Sequence, residues 1–367
     1  MSREHFGVGF GLVSGIGALG CVGILGFGSP AMAADAKVDI GADITKMCGT
    51  KPIRIGVADG YGGNTWRKIV LAEIKDEAAK CPNIKDVIYL DAAGDPQKYN
   101  GDINSLAAQN IDVILTIPDF AEASFPAYRS ALKAGAVVVP FLTTLNGKVG
   151  QDFSANVPLD LVGYATEQAD WFGKNLKQGN VIYFGGIPGA SSSNSMFKAF
   201  QETIKKYPGL SLLENDFVVT NWNQADAQKA TAAMIAKHNK IDGIATDYGP
   251  PAIGVVRAFK QAGLPVPDIA TATSNAELFC MYDEDQAAGK GWKFFSIDGA
   301  TILGRYALRR GVALAEGTQD PDPMLVNFPV HADTYAGIQP PCDKSVPLDT
   351  DLASSLSLDT LKKLLKQ

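Results

Sequence analysis

Short runs of β-branched residues alternate with helical segments along most of the chain. Between the runs, apolar residues recur about every 3.6 positions, as at Trp66, Ile69, Val70 and Ile74, which is the period of a helix. Alternating strands and helices predict parallel sheets with helices on both faces. Nine strands are more than one such sheet usually holds, so we expect two sheets that divide near 146–153. The predicted strands are 53–58, 86–90, 113–117, 136–141, 181–184, 217–220, 241–246, 269–273 and 293–297.

The first 33 residues are typical of an export signal. Arg3 lies near the amino terminus, residues 6–34 contain no charge, and Ala31-Met32-Ala33 places small residues at a cleavage site. We expect cleavage after Ala33 and a mature protein in the periplasm. A membrane anchor is the main alternative, because the uncharged run is long enough to span a bilayer, although its many glycines disfavour a stable helix. A lipid anchor on Cys21 would require a lipobox, which residues 18–21 only half resemble.

Four cysteines follow the signal, and an even number in an exported chain predicts two disulfides with three possible pairings. Cys48 precedes the first predicted strand, and Cys81 follows the helix after it. A strand and its returning helix bring both ends to the same edge of the sheet. We therefore expect Cys48–Cys81 and, by elimination, Cys280–Cys342. The spacing of these cysteines does not fit a zinc site.

Charge and motifs exclude several classes of function. The 367-residue chain has a net charge of −6 and no block of Lys or Arg, so nucleic acid is not an expected partner. Only two histidines follow the signal, and neither a nucleophile elbow nor a phosphate-binding glycine motif is present. We predict no catalytic residue, no cofactor and no metal. A secreted glycosidase stays an alternative, because two carboxylates can meet through folding alone.

The segments that follow the predicted strands carry the candidate binding residues. Ligands of open parallel sheets bind beyond the carboxyl ends of the strands. Sugars need flat aromatic rings for their C–H faces and forked polar groups for their hydroxyls, and these segments contain both. The predicted ligand-binding residues are Asn64, Trp66, Arg67, Asp119, Thr143, Asn194, Trp222, Asp247, Tyr248, Asn275 and Asp298. For single residues a structural role stays open: Asp119 could cap a helix, and Trp66 could belong to the core.

Several of these motifs resemble one family in their order and spacing. They are the strand 53–59, Asn64-Thr65-Trp66-Arg67, the strand and loop 111–119, the turn 186–191, and Asn221-Trp222-Asn223. From about residue 51 to about 332 the chain is similar to the type I periplasmic sugar-binding proteins, the ribose- and galactose-binding family that serves ABC transporters.

This resemblance implies two doubly wound α/β lobes joined by a three-strand hinge, which close on one ligand. The lobes would comprise 45–150 with 299–329 and 151–298 with 330–350, followed by a tail helix in 351–367. Crossings between lobes would fall near 146–156, 296–300 and 328–332. The implied partners are a small sugar or polyol and the membrane permease subunits of an ABC transporter, with the protein as a monomer. A sensor that docks on a chemoreceptor or histidine kinase is the alternative.

The resemblance also implies roles for individual residues. Trp66 and Trp222 would stack on opposite faces of the ligand, and Asn64 would bind hydroxyl groups. Asp247 or Tyr248, Asn275 and Asp298 would complete the polar shell. Five positions depart from the pattern of ribose binders, so the ligand stays open among ribose, galactose, other pentoses or hexoses, sugar alcohols and modified sugars. The departures are Arg67, Ile117, the pair Thr143-Thr144, and Asn194.

Overall fold

The structure is a computed structural model that describes residues 40–365. The predicted export signal and its cleavage site lie outside the described residues. Among those described, no helix is long and apolar enough to cross a membrane, and no group of three or more His, Cys, Asp or Glu side chains could hold a metal ion.

The first lobe is built on a five-stranded parallel sheet in the order β2-β1-β3-β4-β5. Its central strand β3, Val113–Ile117, is buried at every position, as expected for a parallel strand covered on both faces. The other strands are β1 Ile53–Asp59, β2 Ile84–Asp91, β4 Val137–Leu142 and β5 Val157–Pro158. Helices α1 Thr65–Ala78, α2 Pro96–Ala108 and α3 Phe125–Lys133 follow β1, β2 and β3.

The second lobe is built on a sheet in the order β12-β11-β10-β9-β6-β7, in which β8 also pairs with β6. All pairs are parallel except β11 with β12. The strands are β6 Gly179–Gly185, β7 Leu210–Leu212, β8 Val218–Val219, β9 Gly243–Thr246, β10 Asp268–Thr271, β11 Phe294–Ile297 and β12 Val330–Asp333. The helices are α4 Leu161–Asn175, α5 Ser191–Ile204, α6 Gln224–Lys237, α7 Gly249–Gln261 and α8 Ala276–Ala287.

The chain returns to the first lobe before it ends. Helix α9, Leu303–Glu316, packs against β3, β4 and α1. The chain then crosses back to β12, which runs antiparallel to β11 because it enters the second sheet from the first lobe. A final helix, α10 Leu358–Leu365, packs its Leu361 against Ile69 of α1. Two parallel-sheet lobes therefore share three chain crossings.

The nine predicted strands are all present, and three strands were not predicted. β5 has two residues and β7 three, too few for a periodic pattern. β5 pairs with β4, although its residues lie in the range that the sequence assigned to the second lobe. The first crossing therefore follows β5, near residues 158–161, later than the predicted 146–156. There Leu159 forms a bridge with Val326 of the third crossing.

Two disulfides are present, with the predicted pairing. Cys48 bonds to Cys81 across a Cα–Cα distance of 5.4 Å, and Cys280 bonds to Cys342 across 4.7 Å. The first closes the edge of the first lobe at the end of α1. The second ties α8 of the second lobe to the segment after β12. The bonds therefore do not link the helices of one lobe to those of the other.

Candidate ligand-binding cleft

Residues that follow strands of both lobes meet around one cavity. Trp66 comes from the start of α1, and Trp222 and Tyr248 come from the loops after β8 and β9. Trp66 and Trp222 therefore line the same space. The cavity has a volume of about 70 Å³. It is lined by Asn64, Trp66, Arg67, Leu142, Leu159, Leu161, Tyr164, Ser192, Met196, Trp222, Asp247, Tyr248, Ala272, Thr273 and Ala300.

The first-lobe wall contains a buried ion-pair network. Arg67 donates from Nη1 to Asp59 at 2.6 Å and from Nη2 to Asp119 at 2.9 Å, and all three residues are at most 5% exposed. Burial alone would lower the pKa of Arg67, but the carboxylates of Asp119 and Asp59 outweigh it and raise that pKa. Tyr89 also donates to Asp59 at 3.0 Å. Asp119 therefore pairs with Arg67 and does not act as a helix cap.

Asn64 holds the start of α1 in place. Its Oδ1 accepts a hydrogen bond from the backbone N–H of Arg67 at 2.9 Å, which satisfies one of the free donors of the first helical turn. The oxygen is thus occupied by the helix, and the amide nitrogen is the group that Asn64 can offer to a ligand. Next to it, Trp66 is half-buried, and its Nε1 is buried without a hydrogen-bond partner in the described chain.

The second-lobe wall presents a carboxylate whose hydrogen bonds are incomplete. Oδ2 of Asp247 accepts hydrogen bonds from the hydroxyl of Ser193 and from Nε1 of Trp222, the latter at 3.3 Å. Oδ1 is buried and has no partner among the described residues. Burial raises the pKa of Asp247 to about 6, against the effect of these hydrogen bonds. Asp247 can therefore accept a hydrogen bond from a ligand hydroxyl.

Trp222 is held in an unusual backbone conformation. Asn221 and Trp222 have φ angles of 49° and 52°, in the left-handed region that residues other than glycine rarely adopt. The indole lies directly on Gly186, where a Cβ would come within 1.9 Å of Cε2. Leu142, on the opposite wall, has a φ of 83°. Such conformations cost about 1–3 kcal/mol each and concentrate at functional sites.

The two lobes contact each other around the cavity. The rings of Tyr61 and Trp222 meet edge to face, with centroids 5.6 Å apart. Ser191 at the start of α5 donates to the carbonyl of Pro118 at 3.1 Å. Burial and Asp349 raise the pKa of Tyr248, while a hydrogen bond with the backbone of Trp66 opposes the shift. These contacts join residues of opposite lobes across the cleft.

Four other predicted residues lie in different surroundings. Thr143 is buried where the lobes meet, with its hydroxyl 3.4 Å from that of Ser191. Asn275 caps α8 and lines an adjoining part of the cleft. Asp298 is buried and accepts hydrogen bonds from Ser296 and from the backbone of Ser274, and it lines neither part of the cleft. Asn194 is exposed on α5 and is not among the lining residues.

Several lining residues were not predicted from the sequence. Leu161, Tyr164 and Met196 lie on apolar faces of α4 and α5, where the periodic pattern indicates core. Asp59, the partner of Arg67, lines neither part of the cleft; it is the last residue of β1 and directly follows the predicted strand 53–58, but it was not among the predicted ligand-binding residues. No local signal marks the helical residues as part of a cleft.

Two α/β lobes with an aromatic and polar cleft between them define a bilobal ligand-binding protein. The family model described as "Periplasmic binding protein domain" matches residues 55–318. The chain therefore belongs to the periplasmic binding proteins, within the type I sugar-binding group.

Known proteins with similar sequences are binding proteins. The chain is 26% identical to a xylitol-binding protein of Mycolicibacterium smegmatis over 254 residues, which cover 69% of this chain and 68% of that protein. It is also 26% identical to a galactofuranose-binding protein of Escherichia coli over 250 residues, 64% of this chain and 74% of the other. The protein is accordingly a solute-binding protein rather than an enzyme.

Solved structures support the same fold. The chain superposes on the fructose-binding periplasmic domain of a hybrid two-component system with a TM-score of 0.66 and 20% identity, covering 77% of this chain and 91% of that domain. At this identity the likeness concerns the fold alone.

Proposed function

We propose that this protein captures a small sugar or polyol in the periplasm and delivers it to an ABC transporter. The observation that carries the proposal is the placement of Trp66 and Trp222, one from each lobe, on the same cavity beside the unpartnered Oδ1 of Asp247. Indole faces accept the C–H faces of a sugar, while a carboxylate oxygen accepts its hydroxyl protons.

The charges of the cleft favour an uncharged ligand. Arg67, a cation that lines the cavity, is paired with Asp59 and Asp119, so no lone cation is offered to an anionic ligand. Polyhydroxylated molecules satisfy donors and acceptors together. The names of two relatives, a xylitol-binding and a galactofuranose-binding protein, fall within this class.

Closure of the lobes would couple ligand binding to delivery. A ligand that touches both lobes only in the closed form shifts the population toward that form. We assign to the closed form the contacts between Tyr61 and Trp222 and between Ser191 and Pro118, which join the two lobes. The permease subunits would then recognise the closed protein, which we propose to be a monomer. Its first lobe would comprise residues 45–150 with 299–329, and its second lobe residues 151–298 with 330–350.

A sensor role is the second candidate, in which the closed form docks onto a chemoreceptor or histidine kinase. It is favoured by the fold shared with the periplasmic domain of a hybrid two-component system. A pull-down of the liganded protein against permease subunits and against receptor ectodomains separates the two roles. We expect retention by the permease.

A thermal-shift screen over sugars and polyols tests ligand capture. A true ligand at about 100 times its Kd adds roughly 2.7 kcal/mol of stability. We expect such a shift with at least one uncharged sugar or polyol and none with nucleotides or phosphorylated sugars. A screen in which only anionic compounds stabilise the protein would refute the proposal.

A further inference from the structure

The segment after the second disulfide crosses from one lobe to the other. We call residues 343–365 the C-terminal strap. Cys342 ties its start to α8, and the backbone N–H groups of Ala276 and Glu277 donate to the carbonyls of Thr350 and Leu348, both at 2.9 Å. These bonds hold the strap against the start of α8 in the second lobe.

The far end of the strap is attached to the first lobe. Glu73 of α1 accepts hydrogen bonds from the Ser354 hydroxyl at 2.7 Å and from the Ser355 backbone at 2.8 Å. Leu356 and Leu361 pack against Ile69 of the same helix. Between its two attachments the strap passes along the cleft.

There it lines a second compartment of about 210 Å³. This compartment adjoins the cavity between the lobes, because four residues line both spaces: Asn64, Trp66, Trp222 and Tyr248. The strap contributes Asp349 and Asp351, and the second lobe contributes, among others, Ser274 and Asn275. The compartment therefore continues the cleft from the indole pair to the strap.

Two buried side chains on this compartment lack hydrogen-bond partners. Ser274 is 4% exposed and Asn275 is 3% exposed, and neither Oγ of Ser274 nor Nδ2 of Asn275 has a partner in the described chain. The Oδ1 of Asn275 is already bonded to the backbone of Leu278 at 3.0 Å. Buried polar groups are nearly always paired, so two neighbouring exceptions at a cavity point to a missing ligand.

The chemistry of these groups selects hydroxyl groups. Nδ2 of Asn275 needs an acceptor, and the exposed carboxylate of Asp349, which accepts a hydrogen bond from Thr65 at 3.2 Å, can accept others from a ligand. An anion would be repelled by Asp349, and an ammonium group offers no acceptor to Asn275. A hydroxyl group both donates and accepts. Asp351 lines the compartment but is already engaged within the protein, because its two oxygens accept hydrogen bonds from the backbone of Ala353 and the hydroxyl of Thr301.

We infer that the C-terminal strap forms part of the ligand site, and that its compartment binds the hydroxylated extension of a ligand whose first part lies between the indole rings. This inference rests on the proposed function. It predicts that affinity depends on how far the hydroxylated chain of the ligand extends.

Calorimetric titration with two matched pairs of probes tests the inference. Xylitol and sorbitol differ by one CHOH unit, as do the methyl furanosides of L-arabinose and D-galactose. We expect the wild-type protein to bind the longer member of at least one pair more tightly. Ser274→Ala and Asp349→Asn should weaken the longer member about 2- to 10-fold, the range of one lost hydrogen bond, and leave the shorter member unchanged.

Neither substitution removes a contact on which the fold depends, because Oγ of Ser274 is unpartnered and Asp349 is exposed. Asp359→Asn is the matched control, since it removes the same charge from an exposed position on α10, outside the lining residues. Equal binding of all variants to a ligand that the wild type binds would overturn the inference, as would an equal loss in the control. If the wild type binds none of the sugars and polyols, the proposed function fails and the inference falls with it.

Discussion

The two walls of the cleft carry similar polar side chains but differ in how the charged groups are paired. In the first lobe, Arg67 is bonded to both Asp59 and Asp119 within a buried network. In the second lobe, Asp247, Ser274 and Asn275 each keep a buried polar atom without a partner. In the first wall the cation and its carboxylates are therefore paired with each other, although Oδ2 of Asp119 and Nε1 of Trp66 keep no partner there. In the second wall the carboxylate of Asp247 has no cationic partner among the described residues and keeps one oxygen for a ligand.

This difference separates residues that stabilise the protein from residues that bind the ligand, although the sequence predicts ligand binding for both groups. Arg67 and Asp119 follow strands as Asp247 does, and all three residue types can bind hydroxyls. Only the pairing distinguishes them, because a buried ion pair removes charge and donors from the cleft while it holds two loops together. We therefore expect substitutions in the first wall to affect stability and those in the second to affect affinity.

The largest effect is expected from Arg67→Met. It leaves Asp59 and Asp119 buried without their partner, which costs about 3–5 kcal/mol of unfolding free energy. Chemical denaturation measures this cost. The control Arg54→Met breaks the half-exposed pair with Asp86 and should cost less than about 1 kcal/mol. Equal denaturation midpoints for the two variants would contradict a structural role of the first wall.

Trp222→Ala should abolish ligand stabilisation and leave the unliganded melting temperature nearly unchanged. The indole is half-buried and lies on Gly186 at the cleft, so it contributes little to the core. The expected loss is the roughly 2.7 kcal/mol that a ligand provides at about 100 times its Kd. Trp171→Phe, in the core of the second lobe, should keep the ligand-induced shift. Unfolding of unliganded Trp222→Ala would place Trp222 in the core instead.

Acidification should weaken binding through Asp247. Its pKa is raised to about 6, and a ligand hydroxyl that donates to Oδ1 favours the ionised form. Protons therefore compete with the ligand as the pH falls through 6, and affinity should drop about tenfold between pH 7 and pH 5. Titrations at both pH values measure the change.

Asp247→Asn should bind more weakly at pH 7 and lose this pH dependence. Asp298 is a suitable comparison, because burial also raises its pKa to about 6 but both of its oxygens are bonded within the protein. Asp298→Asn should therefore retain the pH dependence. A pH-independent wild type would show that Asp247 is not a ligand contact.

The smallest effect is expected from Asn194→Ala. Asn194 is exposed on α5 and lines no part of the cleft, whereas Ser192, two residues earlier, does. Affinity of Asn194→Ala should stay within about twofold of wild type, as is usual for surface substitutions. Ser192→Ala should weaken binding more. The reverse order would mean that α5 turns a different face to the ligand.

The local pattern was sufficient for most of the fold. All nine predicted strands exist, because each predicted run has at least four residues of which half or more are apolar, although β8 keeps only Val218–Val219 of the predicted 217–220. β5 and β7 are too short to show it, and β12 is antiparallel. The disulfide partners also followed from the order of elements, since a strand and its helix return to the same edge.

The sequence by itself determined nine of the strands and the position of Trp66, Trp222 and Asp247 after strands. Their place at one edge follows because parallel sheets bring the carboxyl ends of their strands together. Tertiary structure alone decided that Arg67 is paired with Asp59 and Asp119, and that the C-terminal strap reaches the cleft. Both depend on contacts between residues far apart in the chain. The periodicity of apolar residues does not predict such contacts, because it indicates which face of an element is buried but not which residues pack against that face.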